Sequence, residues 1–435
     1  MSGAARFTGA LRDLDAGARA TLLRRGLAVS GDQVASRVSA ILARVRREGD
    51  PALRALAREL DGADLESLEV PRAAWEAALA RIPAGARRAL EHAAGNIARA
   101  HESQRPSPVE IEVEPGVRVG RRPDPLGRVG VYAPGGRAAY PSSVLMGAVP
   151  ARVAGVGEVL LCTPPGRDGA PSDWVLAAAA IARVDRVFAL GGAGAVAAMA
   201  FGTESVPRVA RIVGPGNAYV AEAKRQVQGE VTIDSPAGPS EILAVADRTA
   251  QPGRLARELL AQAEHDEDAC SVALVDSAAA ATATLSELEV LLAGTPRREI
   301  ASKALAARGA VLHYADRSEA WDFAAAFAPE HLLIATERPE DDLPRVRNAG
   351  TVFLGSSSSV AFGDYLTGAN HVLPTAGSAR SYSGLSLLDF YRWTAWQRVT
   401  ADAAARLAAD TITLAEAEGL FAHAEAARHA GGSTP

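Results

Sequence analysis

The stretch GRVGVYAPGG, residues 127–136, is a short run of β-branched residues that ends at a proline and two glycines. Three further runs of this kind follow, each separated from the next by a helix-like stretch: VGEVLLCTPP (156–165), VDRVFALGG (184–192) and VARIVGPG (209–216). Strands that alternate with helices in this way are typical of a parallel sheet with crossover helices. The sequence therefore predicts a Rossmann-like unit in this part of the chain.

A second series of apolar runs predicts another unit of the same kind. It comprises SEILAVAD (240–247), a helix around 254–264, CSVALVD (270–276), AVLHYA (310–315), HLLIAT (331–336) and GTVFLG (350–355). Residues 30–110 have the apolar spacing of helices, and a helix-like stretch runs from Ala401 to about His429. The predicted fold class is α/β, with two Rossmann-like units, parallel sheets, and helical N-terminal and C-terminal segments.

The positions of the two series predict the domain organisation. We place a helical N-terminal segment at residues 1–28, one α/β domain at 132–238 and a helical C-terminal segment at 379–435. The other α/β domain is discontinuous in sequence and comprises residues 29–131 together with 239–378.

Composition and charge favour an enzyme that acts on small molecules. The chain of 435 residues is 48% hydrophobic and has a net charge of −5, so a folded core is expected and a nucleic-acid or acidic-membrane partner has no electrostatic basis. Its two cysteines cannot form a disulfide framework. The N-terminus lacks the apolar core of a secretory signal, and no stretch approaches the roughly 20 apolar residues that span a bilayer. A cytoplasmic enzyme without a nucleic-acid or membrane partner is predicted.

Glycine-rich turns follow three of the predicted strands. GGAGAVAA (191–198) has the spacing of the G-x-G-x-x-A dinucleotide turn, although alanine-rich helix starts with glycines are common. GPGN (214–217) and YAPGG (132–136) also close strands, and an ordinary turn explains each of them equally well. Because all three turns lie at strand ends, where α/β proteins bind ligands, we expect them to share a cleft.

Two pairs of side chains have the chemistry of a metal or catalytic site. Gln262 and His265 are three residues apart at a predicted helix end, so they share a face and suit one metal ion. A solvated helix end with an incidental histidine fits the same spacing. Glu330 and His331 are neighbours on a turn, and a carboxylate beside an imidazole is a natural pair for proton transfer.

Two further pairs of side chains have suitable chemistry, but their spacing in the sequence defines a shared site less clearly. Asp364 and His371 lie in GDYLTGANHVLPT (363–375), a loop in which they suit a metal ion or a substrate hydroxyl. Glu418 and His423 are five residues apart, so in a regular helix they point about 140° away from each other. A site shared by this last pair requires a helix end or a groove.

The chain closely resembles the histidinol dehydrogenase family at six strings, which occur in the family's order: GRVGVYAPGGRAAYPSSVLM (127–146), GPGNAYVAEAKRQV (214–227), DSPAGPSEILAVAD (234–247), QAEHDEDA (262–269), APEHL (328–332) and GDYLTGANHVLPT (363–375). The resemblance extends from RREGDPALR (46–54) to EGLFAHAEAAR (418–428), so it covers nearly the whole chain.

The resemblance implies a zinc- and NAD-dependent oxidation of L-histidinol through L-histidinal to L-histidine, the last steps of histidine biosynthesis, with two NAD consumed. By this resemblance, His331 takes the alcohol proton and Glu330 activates the water that attacks the aldehyde. NAD is expected along Tyr132, Gly194 and Asn217.

The resemblance also implies one Zn²⁺ per subunit and an intertwined homodimer whose two subunits share each site. The implied zinc ligands are Gln262, His265, Asp364 and His423. The implied substrate contacts are Ser240, Gln262, His265, His331, Asp364, His371, Glu418 and His423. Glu418 and His423 are expected from the second subunit, so the C-terminal segment would complete its partner's site, while the discontinuous domain carries the other metal and catalytic residues and 132–238 binds NAD.

Three positions depart from the family's pattern. Gly194 stands where glutamine is common, so one hydrogen bond to NAD is expected to be missing. Ser235 replaces the usual methionine, and Arg137 stands in PGGRAAYP. Neither of these last two changes removes a named chemical role.

Three alternatives to histidinol oxidation remain. A relative with the same zinc and NAD chemistry could oxidise another small alcohol, such as a sulfonated diol, but it would not need Glu418 to hold an imidazole. A binding protein that kept the fold and lost the chemistry is opposed by the intact Glu330 and His331. A metal-free NAD dehydrogenase, which GGAGAVAA alone would suggest, would be resistant to chelators.

Overall fold

Strands and helices alternate along most of the chain, as the sequence predicts. The computed structural model describes residues 4–25, 32–135, 139–235, 238–430 and 432, so Arg137 lies outside the described residues. Fifteen strands run through this described part: β1 (Phe7–Ala10), β2 (Glu69–Val70), β3 (Val109–Glu114), β4 (Val117–Pro125), β5 (Arg128–Tyr132), β6 (Glu158–Thr163), β7 (Arg186–Ala189), β8 (Arg211–Val213), β9 (Thr232–Ile233), β10 (Glu241–Ala246), β11 (Cys270–Val275), β12 (Ala310–His313), β13 (His331–Ala335), β14 (Thr351–Leu354) and β15 (Tyr391–Val399).

Helices occupy most of the remaining described residues. The α-helices are α1 (Ala16–Leu23), α2 (Asp32–Glu48), α3 (Asp50–Leu56), α4 (Arg72–Arg81), α5 (Ala84–Glu102), α6 (Pro141–Ala154), α7 (Asp173–Ile181), α8 (Gly192–Phe201), α9 (Ala218–Gln226), α10 (Pro252–Ala263), α11 (Ala278–Gly294), α12 (Arg298–Arg308), α13 (Arg317–Phe327), α14 (Pro339–Asp342), α15 (Val360–Tyr365), α16 (Ala401–Ala417) and α17 (Phe421–Ala430). A π-helical turn, Ala57–Asp61, follows α3, and short 3₁₀ helices occur at Leu11–Asp13, Leu343–Arg345, Ser378–Arg380 and Leu387–Phe390.

The first sheet has six parallel strands in the order β1-β12-β11-β10-β13-β14. Its inner strand β10 is buried along its whole length, because helices cover both faces of the sheet. Ile242 and Ala244 belong to one apolar cluster, whereas Leu243 and Val245 belong to the cluster on the other face. Because successive side chains of a strand point to opposite faces of the sheet, β10 contributes to a hydrophobic core on each face.

The second sheet has the order β2-β7-β6-β5-β8-β9, and every pairing in it is parallel except that of the edge strand β2 with β7. Helix α8, with the sequence GAGAVAAMAF, is buried from Ala193 to Ala200. Its small side chains allow it to pack between α2 and α9 against the sheet. The predicted α/β fold with two parallel sheets is confirmed.

All the predicted strands of the two series are present, as β5–β8 and β10–β14. The structure adds strands that the sequence pattern did not predict. Strand β1 lies at the edge of the first sheet, ahead of the predicted N-terminal helix α1, and β2 and β9 form the edges of the second sheet. These added strands are only two to four residues long, which is too short for a periodic signal.

Contacts among the described residues divide the chain into two compact units. The first comprises the residues up to Gln104 together with Gly127–Phe390, and it contains both parallel sheets. The second comprises Arg105–Leu126 together with the residues from Tyr391 onward. The predicted domain boundaries after residues 131 and 238 remain a prediction.

The second unit contains an antiparallel sheet, β15-β4-β3, and the predicted C-terminal helices α16 and α17, which pack on each other. The sequence analysis did not predict this sheet. Val109, Ile111 and Val113 alternate with glutamates in β3, and this period of two was the available signal. Across both units, no helix in the described residues is long and apolar enough to cross a membrane.

A buried ion pair fixes the loop after β8. Lys224 contacts Asp234, and the two side chains are only 4% and 2% exposed. Lys224 Nζ also donates to the Gly214 carbonyl at 2.9 Å, while the Gly214 N–H donates to Asp234 at 2.7 Å. Gly214 has a φ of +117°, and a Cβ there would lie 2.0 Å from the Tyr132 carbonyl oxygen. Only glycine fits this position, and the ion pair holds both of its polar backbone groups.

We expect Lys224→Met to lower the free energy of unfolding by about 3 kcal/mol, because it leaves the Asp234 carboxylate buried without its cation. Urea denaturation followed by circular dichroism measures the change. The matched control is Lys303→Met, which removes the only other lysine from exposed pairs with Glu267 and Glu299 and should leave stability almost unchanged. Equal midpoints for the two variants would contradict a structural role for the buried pair.

Candidate active site

Both parallel sheets contribute to one cavity of ≈ 1260 Å³. The second sheet contributes residues at and beyond the carboxyl ends of β5, β7 and β8, whereas the first sheet contributes residues at the amino ends of β10 and β13. The cavity therefore lies between the carboxyl edge of one sheet and the amino edge of the other. Single-ligand pockets span roughly 300–1,000 Å³, so this cavity has room for two ligands.

The three glycine-rich turns all line this cavity, as the sequence analysis expects. Tyr132 ends β5, and its hydroxyl oxygen accepts a hydrogen bond from the Gly192 N–H at the start of α8, at 3.1 Å. Burial raises the pKa of Tyr132 to about 12, so the phenol stays protonated. Gly194 lies in the first turn of α8 and also lines the cavity.

Asn217, in the third turn, is the N-cap of α9. Its side-chain oxygen accepts from the N–H groups of Tyr219 (3.0 Å) and Val220 (3.2 Å). An asparagine side chain has both a donor and an acceptor that it could offer to a ligand. In the structure the side-chain oxygen of Asn217 accepts the hydrogen bonds of the helix cap. The amide N–H groups of Asn217 remain available to a ligand in the cavity.

Glu330 and His331 lie at the start of β13, and both bind the backbone of Glu241 in the adjacent strand β10. The Glu241 N–H donates to Glu330 Oε2 at 2.7 Å, and His331 Nδ1 is 2.8 Å from the Glu241 carbonyl oxygen. A carbonyl can only accept, so Nδ1 carries the proton and Nε2 has the lone pair. Nε2 is buried, has no hydrogen-bond partner and lies 3.7 Å from Asp364 Oδ1.

Burial shifts the pKa values of these two residues in opposite directions. It lowers the pKa of His331 to about 4 and raises the pKa of Glu330 well above its usual range, with the charge of Glu241 adding to the shift at Glu330. At neutral pH His331 is therefore an uncharged base. Glu330 is a carboxyl group that gains and loses a proton nearer to neutrality than an exposed glutamate does.

His265, Asp364 and His371 line the same part of the cavity. Burial lowers the pKa of His371 to about 4 and raises that of Asp364 to about 6. The Nε2 atom of His371 is buried and has no hydrogen-bond partner among the described residues. Ser240, immediately before β10, also faces the cavity.

Gln262 lies one helical turn before His265, near the end of α10. It is 2% exposed, it is not a wall residue of the cavity, and its amide nitrogen has no hydrogen-bond partner in the described part of the chain. Within that part, no three His, Cys, Asp or Glu side chains converge as a metal site. The first unit thus brings His265 and Asp364 into one cavity, and Gln262 lies one helical turn before His265.

Glu418 and His423 belong to the second unit. Glu418 is the C-cap of α16 and His423 lies in the first turn of α17. A helix end therefore lies between them, which is one of the two arrangements that a site shared by this pair requires. Both are exposed.

Residues from the N-terminal helices also line the cavity, and the sequence analysis missed them. Leu53, Leu56 and Asp61 come from α3 and the π-helical turn that follows it. A Cβ at Gly194 would lie 3.3 Å from Leu56 Cδ1 and 3.7 Å from Leu53 Cδ2. These leucines lie within residues 30–110, where the apolar spacing predicts helices, and no signal in the sequence distinguishes them as cavity residues.

The arrangement of the cavity identifies a class of protein. Glycine-rich turns at the carboxyl ends of parallel strands are the usual site for a dinucleotide. An uncharged imidazole and a buried carboxyl group in the same cavity can accept the protons that an oxidation releases. Fold and cavity together define an α/β oxidoreductase.

Comparison with known proteins identifies the family. The sequence model named Histidinol dehydrogenase matches residues 25–430. The histidinol dehydrogenase of Methanothermobacter thermautotrophicus is 47% identical over 397 residues, 91% of this chain and 93% of that protein, and the enzyme of Nitrosomonas europaea is 47% identical over 393 residues, 90% and 91%. The crystal structure of the histidinol dehydrogenase from Elizabethkingia anophelis superposes with a TM-score of 0.93 at 36% identity and covers 99% of this chain and 98% of that one. This chain belongs to the histidinol dehydrogenase family.

We expect the uncharged His371, which is half-buried as a residue but has a buried Nε2, to make the metal-free protein less stable in acid. Its folded pKa of about 4 is below the usual 6.5, so between these values the unfolded chain binds a proton that the folded protein does not. Stability from this residue is complete above pH 6.5 and is lost as the pH falls towards 4. His371→Asn removes this loss, which is about 2 kcal/mol after allowance for partial exposure.

Urea denaturation of the wild-type protein and His371→Asn at pH 7.5 and pH 4.5 measures the difference. Asp364, whose pKa is raised to about 6, acts in the opposite sense and contributes to both proteins, so the comparison cancels it. Parallel stability curves for the two proteins would show that His371 is not held uncharged.

Proposed function

We propose that this chain oxidises L-histidinol through L-histidinal to L-histidine and consumes two NAD. The observation that carries the proposal is the uncharged His331 in a cavity lined by dinucleotide-type turns: its Nε2 lone pair lies 3.7 Å from Asp364 Oδ1, and its Nδ1 lies 3.5 Å from Glu330 Oε2. Membership of the histidinol dehydrogenase family supplies the substrate. The remaining alternative is another small alcohol, such as a sulfonated diol.

The two oxidations need two proton acceptors, and the chain has them side by side. His331 Nε2 accepts the hydroxyl proton of the alcohol, and the Nδ1–H bond to the Glu241 carbonyl keeps the ring oriented while it is charged. Asp364 Oδ1, 3.7 Å away, stabilises that positive charge. In the second oxidation Glu330 takes a proton from the water that adds to the aldehyde, and its raised pKa makes it a stronger base than an ordinary carboxylate.

The residues fit the NAD and Zn²⁺ that this reaction requires. Tyr132, Gly194 and Asn217 would hold NAD, which would supply the hydride acceptor for both oxidations. Gln262, His265, Asp364 and a second subunit's His423 would hold Zn²⁺, which would supply a Lewis acid that orients the substrate. In support, the Gln262 side chain is buried one helical turn before His265, and its amide nitrogen has no hydrogen-bond partner in the described residues.

A homodimer with shared sites completes the proposal. Two of the proposed site residues, His423 and the imidazole-holding Glu418, are exposed on the second unit, whereas the other proposed zinc ligands belong to the first unit. Leu420 and Phe421, between these two residues, are 43% and 70% exposed. Apolar side chains left uncovered beside two polar candidate site residues support burial of this segment against a second copy.

The test is NADH formation by the purified protein with L-histidinol, measured with and without a chelator and after zinc is restored. We expect two NADH per histidine, loss of activity on chelation and recovery with zinc. Chelator-resistant turnover would exclude the zinc-dependent mechanism. Bound zinc without histidinol turnover would exclude this substrate and direct the assay to other alcohols.

We expect Gly194→Gln to strengthen NAD binding by about 2- to 13-fold, because the added side chain supplies one hydrogen bond worth about 0.5–1.5 kcal/mol. The space allows it, since a Cβ there approaches only the flexible ends of Leu56 and Leu53. The dissociation constant of NAD, measured by fluorescence titration, reports the change. Gly194→Ala is the control, because it stabilises α8 without adding the amide, and equal affinities for the Gln and Ala variants would show that the amide makes no contact.

A further inference from the structure

We infer that a buried ion pair outside the cavity, Arg25–Glu241, is the positioning device for both catalytic groups. The inference rests on the proposed function for its kinetic test. Neither side chain is among the cavity walls. Their effect on the reaction therefore passes through the groups that they hold.

The backbone of Glu241 is the shared support of the catalytic pair. Its N–H donates to Glu330 at 2.7 Å, and its carbonyl oxygen accepts from His331 Nδ1 at 2.8 Å. One residue thus orients the carboxyl group of Glu330 and sets which nitrogen of His331 is protonated. Any shift of the Glu241 backbone moves both groups at once.

The side chain of Glu241 is held just as fully. Arg25 binds its carboxylate through two nitrogens, Nε at 2.6 Å and Nη2 at 3.2 Å, and the two side chains are 2% and 3% exposed. The N–H of Ala376 donates to Oε1 at 3.0 Å. Ala376 has a φ of +55°, a conformation that alanine adopts only at a cost. The carboxylate therefore helps to hold a strained residue at the end of the loop that carries His371.

Arg25 extends the network to the segment that enters β13. Its Nη1 donates to the Leu22 carbonyl at 2.7 Å and its Nη2 to the Phe327 carbonyl at 2.5 Å, and its guanidinium lies 3.3 Å from the centroid of the Phe327 ring. The next residue, Ala328, has a φ of +49° and leads directly to Glu330. The ion pair consequently joins the start of β10, the entry to β13 and the loop after His371.

A buried ion pair is a poor choice for stability alone, since an apolar pair of the same volume stabilises a core as well or better. The ion pair instead fixes the orientation of the carboxylate, because the planar guanidinium binds it at two points in only one arrangement. Geometry matters most where catalytic groups must be placed to within a fraction of an ångström.

The test compares Arg25→Lys and Glu241→Gln with the wild-type protein. Both variants keep a polar partner in the pair but lose the two-point fit. Arg317→Lys is the matched control, because it makes the same change in an ion pair with Asp342 that touches neither catalytic residue. For zinc-loaded, folded protein, we expect kcat for L-histidinol and for L-histidinal to fall together by about 10-fold or more, with both KM values within about twofold.

A purely structural role would lower only the folded fraction, and kcat per folded molecule would match that of the control. That result in both variants would overturn the inference, as would a loss confined to one of the two oxidations.

A second readout needs no substrate and separates this inference from the proposed function. Ring ¹⁵N spectra of histidine-labelled protein show which nitrogen of His331 is protonated, and His331→Asn assigns its signals among the eight histidines. We expect a single Nδ1–H form in the wild-type protein and in Arg317→Lys, and a mixture of forms in Arg25→Lys and Glu241→Gln. An unchanged single form in these two variants would refute the positioning role, even if histidinol proved not to be the substrate.

Discussion

The parallel pairing of β10 with β13 is the constraint on which the site depends. In this register Ile242 lies opposite His331, so the first peptide groups of β10 meet the two residues that begin β13. Side chains alternate between the faces of a sheet, and a slip of one residue would turn His331 from the cavity edge into a hydrophobic core. The register is secured by the apolar residues of β10, which fill separate cores on the two faces of the sheet. Packing of the two cores thereby determines how Glu330 and His331 are oriented at the amino edge of the sheet.

The cavity combines two edges that α/β proteins seldom use together. Ligands usually lie beyond the carboxyl ends of parallel strands, and the second sheet follows that rule with its three glycine-rich turns. The first sheet instead presents its amino ends, where Ser240, Glu330 and His331 lie. At such an edge, the first peptide groups of a strand are available for hydrogen bonds to side chains. Here the N–H and the carbonyl oxygen of Glu241 bind Glu330 and His331.

Much of this architecture was accessible from the sequence, because long apolar runs ending in glycine produce a strong signal. The predicted strands of both series, the helices of residues 30–110 and the shared cleft of the three turns were all found. The cap formed by Asn217 was not foreseen, since no pattern shows which polar atoms a helix end will consume. Leu53 and Asp61 were missed because their place in the cavity depends on tertiary packing. The ion pair of Arg25 with Glu241 joins residues that are 216 positions apart in the chain, and a single sequence shows no such pairing.

The antiparallel sheet of the second unit bears on how the protein is made. Strand β4 pairs with β15 over its whole length, from Pro125 opposite Tyr391 to Val117 opposite Val399, yet all of Gly127–Phe390 is synthesised between the two strands. At usual rates of synthesis, the hairpin of β3 and β4 waits roughly tens of seconds with one edge unpaired. Two strands alone are barely stable in water. The nascent chain therefore cannot complete this sheet until β15 has been synthesised, and a ribosome that stalls before that point releases a product with an unpaired strand edge suited to recognition by chaperones and proteases.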